Sequence, residues 1–359
     1  MNPISLIPSP DTIPAPAWLF SVLNVLTFAL HIVVINVMLG GILITLFSRL
    51  SGNYLLREQT LHGAVAGKIP TTFALGVNLG VAPLLFIQVL YGQFIYTSSV
   101  LMAVFWILVI PLLMLAYYGS YIHIRRYEKS PLLSKTALVV TAFFVLYIGF
   151  MLTNNMTLML HPEQWDLYFA NRQGTLLNLG DRTLWPRYLH FLTASIAIGG
   201  LFIALVWQIR RKSDPDRAVA KIKSGLKLFA IATSIQVAVG VWFLLSQPKG
   251  IMMAFMGGNP TYTIILALGI LLALGSIYVA FKGKLVATLL HLIGILTMMV
   301  ISRANLRTLY LQPWFKLSDL ELAPQYGVMA LFFAVFIIGL IAVGIMIKMA
   351  VVSKGRATS

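Results

Sequence analysis

The sequence predicts an all-α polytopic membrane protein with nine transmembrane helices in a single membrane domain, residues 1–359. Three observations carry that prediction. First, 59% of the 359 residues are hydrophobic and only 10% are charged, where a soluble domain holds about 25% charged residues. Second, stretches free of Asp, Glu, Lys and Arg recur at 12–48, 69–124, 136–162, 188–209, 228–248, 250–281, 285–302 and 322–347, and a spanning helix needs about 20 apolar residues. Third, the basic residues fall unevenly about those stretches. The composition excludes a soluble globular enzyme and disordered, collagen-like or solenoid chains. The absence of cysteine excludes disulfides, iron–sulfur clusters and the covalent attachment of a c-type haem. The net charge of +16 fits basic cytoplasmic loops and gives no reason to expect a nucleic-acid partner.

The first stretch lacks a basic leader and is too long for a cleaved signal peptide. Pro14, Pro16 and Trp18 mark an outer-face helix start with an interfacial aromatic. The stretch 69–124 is too long for one span and is expected to hold two, broken around Gly92 and Gln93. Each remaining stretch supplies one helix. With the N-terminus outside and the helices alternating, 19 of the 26 Lys and Arg residues fall on the cytoplasmic side. That places the C-terminus inside. The expected compartment is a prokaryotic plasma (inner) membrane.

Two of these helices share a pattern. Leu30-His31 is followed after eight residues by Gly40-Gly41, and Leu189-His190 after eight residues by Gly199-Gly200. The offset predicts two repeated four-helix units, 16–160 and 185–303, and a ninth helix at 326–350. Glycine nine positions after the histidine lies opposite the imidazole face, where its small surface permits close helix contact.

All ten acidic residues fall outside the spans, which counts against a proton-consuming site deep in this chain. Three histidines lie within spans: His31, His190 and His291. An intramembrane ionisable group is a functional hypothesis, and a neutral imidazole is the common axial ligand of haem iron. The competing reading is a histidine that hydrogen-bonds across helices. Repetition favours ligation for His31 and His190. Helix counting puts His190 near the outer face, with His31 deeper and His291 at a comparable middle depth, which permits a His31–His291 pair. Arg187 stands one turn before His190, and Arg303 and Arg307 close the eighth helix. Such arginines suit haem propionates through bidentate contacts, or else snorkel to the interface. Met252, Met253 and Met256 read as apolar filler rather than axial ligands, and His62, His123 and His161 as interfacial.

These residues bring a family into view. "LTFALHIVVINVMLGG", "FALGVNLGVAPLLF", "RYLHFLTASIAIGGLF", "LKLFAIATS" and "LQPW" resemble, in order, stretches of cytochrome bd quinol oxidase subunit I. The chain looks like a shortened, divergent relative. The resemblance implies nine spans, an active-site haem ligand at His31, a low-spin haem b ligand at His190 and a basic neighbour at Arg187. It also has gaps. The positions matching the family's carboxylates are Ser99, Ile107 and Leu84. The low-spin haem's methionine matches Ile265, and the arginine of the outer motif matches Leu311. The quinol-binding loop has shrunk to about 247–262.

The expectation is therefore a haem b-binding subunit of a respiratory electron-transfer complex, holding one or two haems. It would move electrons between quinol and a partner, either a second oxidase-like subunit or a cytochrome. His31 and His190 would hold haem iron, and His291, Arg187 and Arg303 would contribute to cofactor binding. A terminal quinol:oxygen oxidoreductase subunit and a cofactor-free structural subunit are the alternatives.

Overall fold

The computed structural model describes residues 3–51 and 65–356, with side chains as far as 349. Arg57 and His62 lie outside the described residues. Among those described, nine helices are long and apolar enough to cross a membrane. They are α1 (Ala17–Ser51), α2 (Ile69–Leu101), α3 (Ala103–Arg125), α4 (Pro131–Leu160), α5 (Leu184–Arg210), α6 (Pro215–Leu245), α7 (Pro260–Phe281), α8 (Leu285–Leu311) and α9 (Tyr326–Arg356).

Local chemistry sets the ends. Proline opens α4, α6 and α7 at the first helical turn, where its missing N–H costs nothing. Asp214 and Asn259 cap α6 and α7, accepting from the amides of Arg217 at 3.3 Å and Tyr262 at 3.2 Å. Gly283, with φ of 73°, turns the chain between α7 and α8.

The break expected at Gly92 and Gln93 falls instead at Met102, between α2 and α3. The sequence signal was real but marked a bend: Tyr91 leaves helical geometry (φ −140°, ψ 35°) and the helix then resumes. Earlier in α2, Pro83 removes one backbone donor. The buried Asn24 of α1 donates to the Pro83 carbonyl at 2.9 Å and ties the two helices there.

Helices pair with their chain neighbours, α1 with α2, α3 with α4, α5 with α6 and α7 with α8, while α1 also lies along α5. Polar side chains turn inward and apolar ones outward. Asn36, Thr45, Asn154, Asn155 and Ser195 are buried, while Ile209, Leu271 and Leu290 are exposed. This is the arrangement lipid imposes, because the hydrocarbon offers polar groups no partner. No described side chain of α9 is buried. Just before that helix, the amides of Ala323 and Gln325 donate to the carbonyls of Ile13 and Pro14 at 2.9 Å, tethering its N-terminal end to the start of α1.

Candidate functional site

The site is built on the α1–α5 crossing. An added Cβ at Gly40 would stand 2.0 Å from the Ser195 carbonyl oxygen, and one at Gly199 would stand 2.9 Å from the Gly40 carbonyl carbon. Only glycine permits that approach. The Ser195 hydroxyl donates to Asn36 Oδ1 at 2.7 Å across the same contact, between residues 159 apart. That spacing equals the offset between the two histidine motifs. Residues at matching positions therefore meet each other, and α1 and α5 run parallel in register. His31 and His190, each nine residues before its crossing glycine, lie at the same level along the helix pair. The greater depth expected for His31 is corrected: α1 extends further beyond the crossing than α5, so counting from a helix start confuses length with depth.

Each imidazole faces away from the crossing, toward the next helix. His31 Nδ1 lies 3.0 Å from the Gly76 carbonyl of α2. That acceptor places the proton on Nδ1 and leaves the Nε2 lone pair free. The ring sits on Gly80, where a Cβ would lie 2.7 Å from Cε1. His190 repeats the arrangement against α6. Its ring rests beside Gly240, whose added Cβ would be 3.2 Å from Cε1, and its Nε2 is 3.4 Å from Gln236 Nε2. His190 Nδ1 is buried without an acceptor at full hydrogen-bond geometry among the described residues, and the ring interacts with the Gln236 backbone. His291 donates from Nδ1 to Ala287 of its own helix at 2.8 Å and points Nε2 at Gly275 of α7, where a Cβ would lie 2.8 Å away. Although α1 and α8 touch, the rings of His31 and His291 are seated on different helices, and the structure does not bring them together as a pair.

Three arginines converge at the end of the bundle where α5 begins and α8 ends. Each guanidinium stacks on an aromatic ring: Arg187 on Phe243 (5.0 Å), Arg303 on Phe28 (4.1 Å) and Arg307 on Tyr91 (4.6 Å). Arg303 feels the repulsion of both Arg307 and Arg187. Arg307 is 5% exposed and reaches Asn24 Oδ1 at 3.4 Å. Arg187 Nε and Nη2 and Arg307 Nε and Nη1 are buried without partners, as are Gln93 Nε2, Asn154 Nδ2, Thr183 Oγ1 and Ser302 Oγ. Buried donors left unpaired cost about 1–3 kcal/mol each, more when charged. Those of Arg187 and Arg307, which flank Arg303, call for acceptors.

Sequence reasoning missed the neighbouring ion cluster. His161 was expected at the interface, but it bridges two carboxylates, with Nδ1 2.6 Å from Glu163 and Nε2 3.0 Å from Asp181. Burial opposes its charged form, but the hydrogen bonds to Asp181 and Glu163 outweigh burial and raise its pKa to about 9. Asp181 is likewise disfavoured by burial, yet the bonds from His161 and Thr183 hold its pKa at about 2. Glu163 is lowered by the same partner against the same opposing burial. The Tyr310 ring meets His161 edge-on at 5.2 Å, and its hydroxyl donates to Gln247 at 2.8 Å. A local clue existed, because a histidine followed two residues later by glutamate at a helix end is an ion-pair spacing. Asp181, 20 residues on, gave no such clue.

His123, also expected at the interface, is fully buried. Its Nδ1 lies 2.9 Å from the Ser134 hydroxyl, which clasps α3 to α4 across the turn. Met253 and Met256 are about half exposed. Met256 and Gly257 form an irregular turn with Gly257 at φ 114°. Ile107 and Leu84, matched above to family carboxylates, point outward at 66% and 39% exposure. Ser99 is bonded to Ile95 and Asn155.

Among the described residues, no group of three or more His, Asp and Glu side chains is arranged to hold a bare metal ion. Axial haem ligation needs only one or two side chains, so the two requirements differ. Comparison with protein-family models, curated proteins and solved structures gave no match.

Proposed function

We propose that the chain is a haem b-binding membrane subunit of a respiratory electron-transfer complex, related to cytochrome bd oxidase subunit I. It moves electrons between quinol and a partner redox protein, a second oxidase-like subunit or a cytochrome. The reading builds on an all-helical, multi-pass membrane protein whose architecture is compatible with an oxidoreductase subunit. The reading includes two four-helix units related about the α1–α5 crossing, a ninth helix, the N-terminus outside and a prokaryotic inner membrane.

One observation carries the proposal. Two histidines at equivalent positions of a parallel helix pair each face a bare glycine surface. The arginines add weight. Unpaired guanidinium N–H groups at Arg187 and Arg307, with Arg303 beside them, make no direct ion pair with a carboxylate among the described residues, and propionates are carboxylates. The residues present therefore fit the group. His31 and His190 would hold the iron, and Arg187, Arg303 and Arg307 the propionates. Bound haem supplies reversible one-electron transfer. The chain's own part is to fix the His31 tautomer through Gly76, to exclude water by close helix packing, and to hold positive charge near the carboxylates.

The terminal-oxidase alternative is weaker. Two of the positions it needs for carboxylates hold exposed aliphatic residues, Leu84 and Ile107. The test is a pyridine haemochrome assay with reduced-minus-oxidised spectra on the purified chain, expressed with haem supplied. One or two b-type haems per chain support the proposal. A folded chain without haem rejects it in favour of a structural subunit.

A further inference from the structure

We infer that Asp181, His161 and Glu163 form a proton site between the His190 cofactor position and the outer water, linked to that position through Arg187. This rests on the cofactor reading above and adds a regulatory property to it. Side-chain exposure rises from 5% at Asp181 through 19% at His161 to 43% at Glu163. The cluster is thus graded from bundle interior to surface, with a hydrogen bond at each step. Its buried end, Asp181, lies within electrostatic reach of Arg187, which stands one turn before His190 on α5. The charged and titratable groups around His161 are Glu163 and Asp181 from the loop and Tyr310 from α8, with the neutral Gln247 beyond Tyr310. His161 is the group among them whose charge changes nearest neutral pH, since its pKa is about 9.

Arrival of one electron at the His190 position removes one positive charge there. A cation at His161 is then better tolerated, and the imidazole binds its proton, drawn from the outer water, more tightly. An oxidised centre pushes the other way. The coupling is reciprocal, so the affinity for the electron depends on pH wherever His161 titrates. Well below pH 9 the proton stays bound in both states and the dependence vanishes.

The experiment uses the full chain, haem-loaded in detergent, titrated with dithionite and ferricyanide from pH 6 to pH 10.5. The midpoint potential of the haem lost in His190→Ala is expected to be level at low pH and to fall with rising pH in the region just below about 9. In His161→Gln, which keeps a donor but bears no charge, the profile becomes level with haem content unchanged. In Asp181→Asn, which weakens the hold on the proton, the sloping region moves to lower pH. Imidazole NMR of the unloaded chain locates the His161 titration independently and should show the same shift. A level wild-type profile, or the same slope in His161→Gln, overturns the inference. If His161→Gln does not fold, an unmoved slope in Asp181→Asn overturns it instead. A chain that takes up no haem overturns the parent reading first, and its absorbance shows that before any titration begins.

Discussion

Replacing Gly40 with alanine should separate α1 from α5, while the same change at its neighbour Gly41 should not. The added Cβ at Gly40 would lie 2.0 Å from the Ser195 carbonyl oxygen, whereas at Gly41 the nearest atom, on Val65, is 3.5 Å away. Ordinary contact begins near 3.4 Å, so at Gly40 the helices must part by more than 1 Å. The obstacle is backbone, which cannot rotate aside. Parting also stretches the 2.7 Å Asn36–Ser195 bond and strands two buried polar groups in a low-dielectric interior. Overpacking alone costs about 1–3 kcal/mol, and losing the bond adds about 1 kcal/mol, so Gly40→Ala should cost about 3 kcal/mol. Gly41→Ala should stay within about 1 kcal/mol, because alanine also gains helix propensity. Equilibrium unfolding of both variants in one detergent, followed by far-UV circular dichroism, measures the difference. Combining Gly40→Ala with Gly199→Ala should cost clearly less than the sum of the two, since both open the same contact. Equal stabilities for Gly40→Ala and Gly41→Ala would refute the in-register crossing and the equal level of His31 and His190 that follows from it.

The remaining predictions concern single groups. His161 has a raised pKa, so its contribution to stability is full below about pH 6.5 and is lost as pH rises through about 9. The loss should be on the order of 2 kcal/mol and absent from His161→Gln in pH-dependent thermal unfolding. Asp181 is depressed, so its contribution is present above about pH 4 and disappears as pH falls toward 2; Asp181→Asn should flatten that acid limb. Arg307→Met removes a buried cation with unpaired donors, so the unloaded chain should be unchanged or more stable by about 1 kcal/mol, while haem is retained less well through gel filtration. Gly80→Ala should push on the His31 ring, whose Cε1 would be 2.7 Å from the new methyl, and lower haem content by up to one equivalent. The looser Gly240→Ala, at 3.2 Å, should do less.

The spans were legible because lipid demands long apolar runs and leaves charge only at their ends. The crossing was legible too, since Gly40 and Gly199 recur at a fixed distance from a histidine and small residues mark close helix contact. Depth was not legible, because the register of α1 against α5 is set by a contact and not by where either helix begins. The pause at Gly92 read as a chain reversal because glycine weakens a helix and Gln93 interrupts the apolar run. Packing of Tyr91 beneath Arg307 carries the helix through that bend to Met102. The ion cluster stayed hidden because its members belong to a loop whose course the apolar pattern does not determine. His123 looked interfacial from its position at a helix end, but Ser134, across the turn, encloses it. Glycine seats for the three intramembrane histidines also needed coordinates, because Gly80, Gly240 and Gly275 lie on neighbouring helices and carry no signal of their own.

The most direct test of the central claim is the haem content of His31→Ala and His190→Ala beside the parent chain, by pyridine haemochrome, at matched protein and matched far-UV circular dichroism. The account predicts that each substitution removes the haem held by that histidine and leaves any other in place. Unchanged haem in both variants, or a well-folded parent chain with none, would contradict it.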